Sequence, residues 1–458
     1  MSVGGREPGS GAGETLFLAA YVLVFVSAFV ALTPILQIVT PLHADAIDPA
    51  DKTRVLSQAM FWGAVTAAIS NVVVGALSDR TRSRFGRRRP WIAAGGVLIV
   101  LAYVGIWRSQ TPLQLTWAVV GFQAAFNVLM APLLALFAER VSLARRTTMS
   151  AILGVCYPLA VALGSGLMAL GPQGEAGRLV LLALVILTTT WSFVLLFAEP
   201  ASPVAMRRPA SASPWALLRP FRSRNFVLVW SGRLLLSTGY ALVGAYLLYF
   251  IVEAFSSAGR TPEVSHSILT AVALAGVFTV AMTVAFAGRR IRSRKPVALC
   301  GAVLLCGASA AVAASQDWAP VVGAFVIYGL GQGAYGSVEM GLMADVLPTE
   351  EDRGKDMGLI NLAAALPQAI APLIAVWLQS HDGGIRPLFG VAALCFGSAA
   401  LLLAGLKAMK PSGREARGCG PEAGRTRTKG LGSRGCRAQR SMMSPPPPAP
   451  RSSPCPGC

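Results

Sequence analysis

The chain has 458 residues, of which 54% are hydrophobic and only 13% are charged. Water-soluble domains carry about 25% charged residues, and the mean hydropathy of +0.58 likewise excludes a soluble fold of this size. The formal net charge of +19 invites a nucleic-acid reading, but the cations sit in a terminal tail and in short loops between apolar runs. That is a topology signal and not a nucleic-acid footprint.

Residues 1–14 are rich in Gly and Ser and read as a disordered lead. The apolar run that follows lacks a basic flank and a small-residue cleavage site, so it is expected to stay as a span, not to be removed as a signal peptide. Twelve apolar runs are long enough to cross a bilayer: 15–36, 55–77, 91–107, 113–138, 148–170, 178–197, 225–252, 266–287, 297–315, 320–345, 357–379 and 387–407. Between the second and third lies a polar island, Gly75 to Ile92, with Asp79 and six arginines, Arg80, Arg82, Arg84, Arg87, Arg88 and Arg89. Loops on this side also hold Arg145, Arg146, Arg207, Arg208 and the run Arg289 to Lys295. The opposite loops carry few cations, among them Lys52, Arg108, Arg178, Arg260 and Arg386. Arginine-rich loops stay cytoplasmic, which predicts that both termini lie inside a plasma (inner) membrane.

Residues 198–224 contain Pro200, Pro203, Pro209, Pro214 and Pro220 and read as a cytoplasmic linker. It divides a six-helix half, 15–197, from a second half, 225–407. The tail, 408–458, is basic and rich in Gly and Pro; composition of that kind cannot bury a core. Cys156, Cys300, Cys306 and Cys395 fall in spans, where a thiol is a small packing residue. His43, His266 and His381 fall in predicted outer loops, so no metal site, cofactor or catalytic constellation is expected. The chain does not read as an enzyme.

An internal repeat supports the division. Ser83-Arg84 and Arg89-Pro90 recur as Ser293-Arg294-Lys295-Pro296, with the prolines 206 apart (296 − 90). Ala138-Glu139 recurs as Ala344-Asp345, again 206 apart, and Arg145 to Ser150 as Arg353 to Gly358, offset by 208. An even number of spans per half gives parallel repeats. The predicted fold is an all-α integral membrane protein of twelve helices in two six-helix repeats.

Ionisable groups inside spans are costly and functional by default. Glu339 lies six residues before Asp345, about 9 Å into the tenth span at 1.5 Å per residue. Arg233 lies about 12 Å from the same surface in the seventh, which makes it the expected partner. Each sits on a polar stripe, Arg233, Ser237, Tyr240 and Gly244 on one span and Gln332, Gly336 and Glu339 on the other. A static ion pair tying two helices is the competing reading. Asn71, Gln123 and Asn127 in the first half, with Asn361 and Gln368 in the eleventh span, form a set of neutral amides. Such groups bind hydroxyls through both donors and acceptors, or hold helices together. Trp62, Tyr157 and Tyr240 are candidates for stacking on a ring face.

The island spelling, Ser78-Asp79-Arg80 and Arg84-Phe-Gly-Arg-Arg-Arg-Pro90, resembles the loop between helices two and three of the major facilitator superfamily. Within it, the closest resemblance is to the glycoside–pentoside–hexuronide:cation symporters and sucrose transporters. The likeness runs over most of residues 15–407 and is strongest at 75–92, 127–140 and 343–372. It implies a monomeric secondary transporter of a sugar or glycoside. Drug or metabolite efflux is the alternative within the class, and a non-transporting membrane sensor lies outside it. It also implies a cytoplasmic gate in which Asp79 meets the start of helix eleven and nearby arginines, with Arg80, Arg87, Arg88, Glu139 and Asp345 as gate residues. Two departures matter. Ala67 and Asn71 occupy the positions of the two sodium-site acids of the melibiose-type symporters, so protons are the expected coupling ion. Leu134 replaces the arginine of the sucrose-transporter stretch, and the substrate need not be sucrose.

Overall fold

The computed structural model describes residues 11–81, 83, 85–141, 143–172, 174–197, 221–255, 260–287, 294–346, 353–382 and 384–406. The proline-rich linker up to residue 220, the basic tail, Arg82 and Arg84 lie outside them.

Helix α1 (Gly11–Pro34) passes through one π-helical turn (Ile35–Val39) into α2 (Thr40–Ile47). Two prolines account for the irregularity. Pro34 and Pro41 have no N–H, so the carbonyls four residues before each lose their usual donor. Widening the turn to a five-residue reach recovers bonding, and Thr40 N–H is bonded to Ile35 O. The first span was expected to stop at 36; the helix continues to Ile47.

The other helices follow as α3 (Lys52–Arg80), α4 (Arg89–Trp107), α5 (Pro112–Arg140), α6 (Leu143–Leu170) and α7 (Glu175–Leu196) in the first half. The second half holds α8 (Arg224–Phe255), α9 (Pro262–Ala287), α10 (Lys295–Ala314), α11 (Trp318–Val346), α12 (Arg353–Asp382) and α13 (Arg386–Ala404). Proline stands in the first turn of α4, α5, α10 and α13, where its missing N–H costs no helical bond. Thr111 caps α5 by accepting from Gln114 N–H at 3.3 Å. Among the described residues, eleven helical segments are long and apolar enough to cross a membrane, with α1 and α2 forming one of them. The twelfth long helix, α12, is 30 residues long; the side chains of residues 353–362, 364 and 365 lie outside the described residues, so it is not counted among the eleven. Large apolar side chains such as Leu101, Trp117, Leu170, Leu195 and Leu401 point outward from the bundle, as a lipid-facing surface requires.

The two halves pack alike. In the first, α1 lies against α6 and α7, α3 and α4 lie against α5, and α4 lies against α7. In the second, α8 lies against α12 and α13, α9 and α10 lie against α11, and α10 lies against α13. The repeat reaches the level of single contacts. A Cβ on Gly95 would come within 2.5 Å of Leu129 N, and one on Gly301 within 2.7 Å of Tyr335 N. Both members of the second pair lie 206 positions on (301 − 95 and 335 − 129), the offset already seen in the loops. Close backbone approach at small residues is how membrane helices gain packing without a hydrophobic drive. Between halves, α3 packs on α12 and α6 on α9.

A consequence is testable. Leu at position 95 would have to displace the α5 backbone, a strain of about 1–3 kcal/mol or more. Gly95→Leu is expected to lose most of the monodisperse protein in fluorescence-detected gel filtration. Gly121→Leu, where a Cβ meets nothing within 4 Å, is expected to keep it. Equal recovery of both variants would contradict the packing.

Candidate functional site

The deepest charges in the second half meet. Arg233 on α8 and Glu339 on α11 face each other with Nε to Oε1 at 3.6 Å, and their side chains are 10% and 24% exposed. That exposure separates the pair from a surface ion pair, which is worth little. It is also loose, because 3.6 Å lies outside hydrogen-bond range, and Arg233 Nη1 donates instead to the thioether sulfur of Met343 one turn along α11. A pair evolved to clamp two helices would use the bidentate fork.

Farther along α8 the ring of Tyr240 lies edge-on to Tyr328, centroids 6.1 Å apart, and to Phe396 at 5.4 Å. Tyr335 on α11 is buried and within electrostatic reach of both Glu339 and Arg233. Gln332, on the same helix, is half-buried. The stripe ends at Gly244, where a Cβ would stand 3.4 Å from Nε2 of Gln37. Gln37 comes from the other half, on the π turn, with the Tyr157 hydroxyl of α6 beside its side chain. Sequence reasoning missed Gln37 by placing the end of the first span one residue before it. The usable signal was the pair of prolines seven positions apart.

The amides of the first half form a second cluster. Asn71 Nδ2 donates to Asn127 Oδ1 at 3.1 Å, and Asn127 Nδ2 donates to the carbonyl of Gln123 at 2.9 Å. Gln123 and Asn127 are buried and Asn71 is exposed. Gln368 is exposed on α12; Asn361 lies on the same helix, with its side chain outside the described residues. Trp62 is exposed and edge-on to Phe61, and Tyr157 is edge-on to Phe29.

The arginine island is a tight connection. Gly86 has φ +94°, a conformation that side chains with a Cβ rarely adopt. Arg88 is buried, donating to Ser78 Oγ at 2.6 Å and to the Asp79 carboxylate. Arg89 donates to the Val194 carbonyl, and Trp91 Nε1 to Thr81 Oγ1 at 2.7 Å. The bond observed for Asp79 is therefore to Arg88, an island arginine. Arg80 is exposed at the end of α3 and Arg87 is half-buried. Glu139 and Asp345 end α5 and α11, with side chains outside the described residues.

Side-chain bonds join the two halves at the end opposite the island. Ser57 and Tyr246 share a bond of 2.6 Å, and Tyr249 donates to Pro41 O at 2.9 Å. Arg178 Nη1 reaches Glu263 Oε1 at 3.0 Å, and Ser165 Oγ reaches His266 Nδ1 at 2.9 Å. His43 meets Glu175 at 2.5 Å beside this seam. Between these charges and Ile38, Val39, Leu42 and Met168 lies a cavity of about 160 Å³. The expectation that all three histidines sit in loops is corrected here. His43 is in α2, His266 is fully buried in α9 and His381 is in α12, because α2 and α9 begin or continue beyond the apolar runs that predicted them.

Comparison with known proteins agrees with this architecture. Four solved structures of three transporters superpose over 85–86% of the chain. A bacterial homolog of the human lysosomal transporter Spinster, in an inward-facing, unoccupied conformation, gives a TM-score of 0.61 at 13% identity over 96% of its chain. The human organic anion transporter MFSD10 gives 0.61 at 18% identity over 99% of its chain, and the nucleoside transporter NupG gives 0.64 at 12% over 99%. At such identities the likeness is one of fold. An uncharacterized symporter of Synechocystis is 47% identical over 45 residues, 10% of this chain and only 8% of the relative's length. The family described as MFS/sugar transport protein matches residues 52–380, some seven-tenths of the sequence. By that match, with two packed six-helix repeats behind it, the chain belongs to the MFS/sugar transport protein family.

Proposed function

We propose that the protein is a proton-coupled secondary transporter of a small polar solute, a sugar or glycoside, working as a monomer by alternating access. The observation that carries this reading is the loose Arg233–Glu339 pair at one end of a stripe of tyrosines and amides. Hydroxyl-rich solutes need donors and acceptors together with ring faces to stack on, and the stripe supplies both. Protons suit a carboxylate held 3.6 Å from its guanidinium. Moving Arg233 away leaves a proton as the remaining way to neutralise Glu339.

The arginine asymmetry supports a plasma-membrane protein with both termini in the cytoplasm. The bonded end, with Tyr249, His266 and Arg178, then faces outward, and the conformation is closed to the outside.

In proteoliposomes loaded at neutral pH and diluted into acidic medium, labelled sucrose, maltose, melibiose and raffinose provide the test. At least one is expected to accumulate above its external concentration, and a protonophore is expected to abolish the accumulation. Uptake that ignores the pH gradient would remove proton coupling. Export of organic ions with no sugar uptake would replace the sugar reading by efflux.

A further inference from the structure

We propose that Gln37 is a specificity-determining residue of the transport cavity, reading hydroxyls of the bound sugar, and that Tyr157 is its positioning residue. The inference rests on the sugar reading above and deepens it. Three observations meet at this side chain. The π turn between Pro34 and Pro41 interrupts α1–α2 at Ile35–Val39, with Gln37 at its centre. Single π turns inside helices recur at functional sites because they re-aim a side chain that a regular helix would direct elsewhere. The turn is fixed from behind: a Cβ on Gly164 of α6 would collide with Pro34 at 2.6 Å, and Thr33 Oγ1 donates to Ala160 O at 3.4 Å.

Second, the amide reaches across to the other half. Gly244, the last member of the α8 polar stripe, has no side chain, and Gln37 Nε2 occupies the approach that a Cβ would narrow to 3.4 Å. At 1.5 Å per residue, Arg233 lies about 16 Å from Gly244 along α8. Gln37 and the ion pair thus bracket the stripe, with the Tyr240 and Tyr328 rings between them. Third, the hydroxyl of Tyr157 lies beside the amide, and Tyr157 is itself 40% exposed and within electrostatic reach of Tyr328. An amide has two donors and a carbonyl with two lone pairs. Even with one of these groups turned toward Tyr157, donor and acceptor capacity remains for neighbouring hydroxyls of a ring. A residue that touches both halves at the closed end also reports occupancy to the seam formed by Ser57, Tyr246 and Tyr249.

The experiment uses whichever of sucrose, maltose, melibiose and raffinose the wild type transports, with its single-deoxy analogues, in proteoliposomes of the full chain. Gln37→Ala is expected to raise KM for the parent sugar about tenfold, or about 1.4 kcal/mol. It should leave unchanged the KM of the analogue lacking the hydroxyl that Gln37 reads, which also shows that the variant is folded. Tyr157→Phe should blunt the same preference without shifting the maximal rate. An unchanged ranking of the analogues in Gln37→Ala overturns the assignment while the sugar reading stands. A wild type that transports none of the four sugars overturns both.

Discussion

Glu339→Gln is expected to abolish uphill, proton-driven accumulation while leaving substrate binding and downhill exchange within about twofold of wild type. The side chain keeps its size and its acceptor, but it can no longer carry a charge or take up a transported proton. Arg233 then faces a neutral amide across the 3.6 Å gap. Breaking a buried ion pair by removing one partner costs up to about 3–5 kcal/mol. Here Met343 already satisfies one N–H, so the fold should survive in a measurable fraction. Counterflow of labelled sugar in vesicles with no pH gradient separates the outcomes. Accumulation against a gradient by the Gln variant would place the transported proton elsewhere. A variant that fails to insert, accompanied by rescue when Arg233→Met removes the stranded cation, would make the pair a static tie.

The legible and illegible parts of the molecule divide along physical lines. Apolar runs mark spans because no unpaired backbone can face lipid, and the spans placed most closely, such as 91–107 against Arg89–Trp107, are those bounded by proline and arginine. The Arg233–Glu339 contact was readable because both helices end at the same surface, so counting residues from that surface gives two depths to compare. Asn71 and Asn127 were likewise grouped in one set of amides, and they are bonded. The π turn was hidden because two prolines only seven positions apart resemble the end of a helix. The ring contacts of Tyr328 were hidden because an aromatic residue in an apolar helix fits packing equally well. The bonds of Tyr249, His266 and Arg178 across the halves could not be read at all. They belong to one conformation of the protein, while a sequence encodes every conformation in its cycle at once.

That last group leads to the largest reversible effect. A cross-link at the bonded end should stop transport completely, because alternating access requires these surfaces to part. Ser267 Oγ lies 4.0 Å from the position of a Cβ on Gly166, so a small adjustment of α6 and α9 brings the two Cβ atoms to the separation of about 3.5–4.5 Å that a disulfide needs. The neighbouring Ser165–His266 bond holds α6 and α9 in register. With the native cysteines replaced, Gly166→Cys combined with Ser267→Cys is expected to form a disulfide under mild oxidation and to lose more than 90% of its uptake. Reductant should restore uptake to the level of the reduced double variant, and either single substitution should be insensitive to oxidant. The locked protein should still bind sugar from the island side, since the proposed site between Gln37 and Glu339 is not itself cross-linked. Binding without transport is the signature of one frozen state in a cycle of two. Full uptake by a completely cross-linked sample would show that the halves do not separate there, and alternating access across this seam would fall.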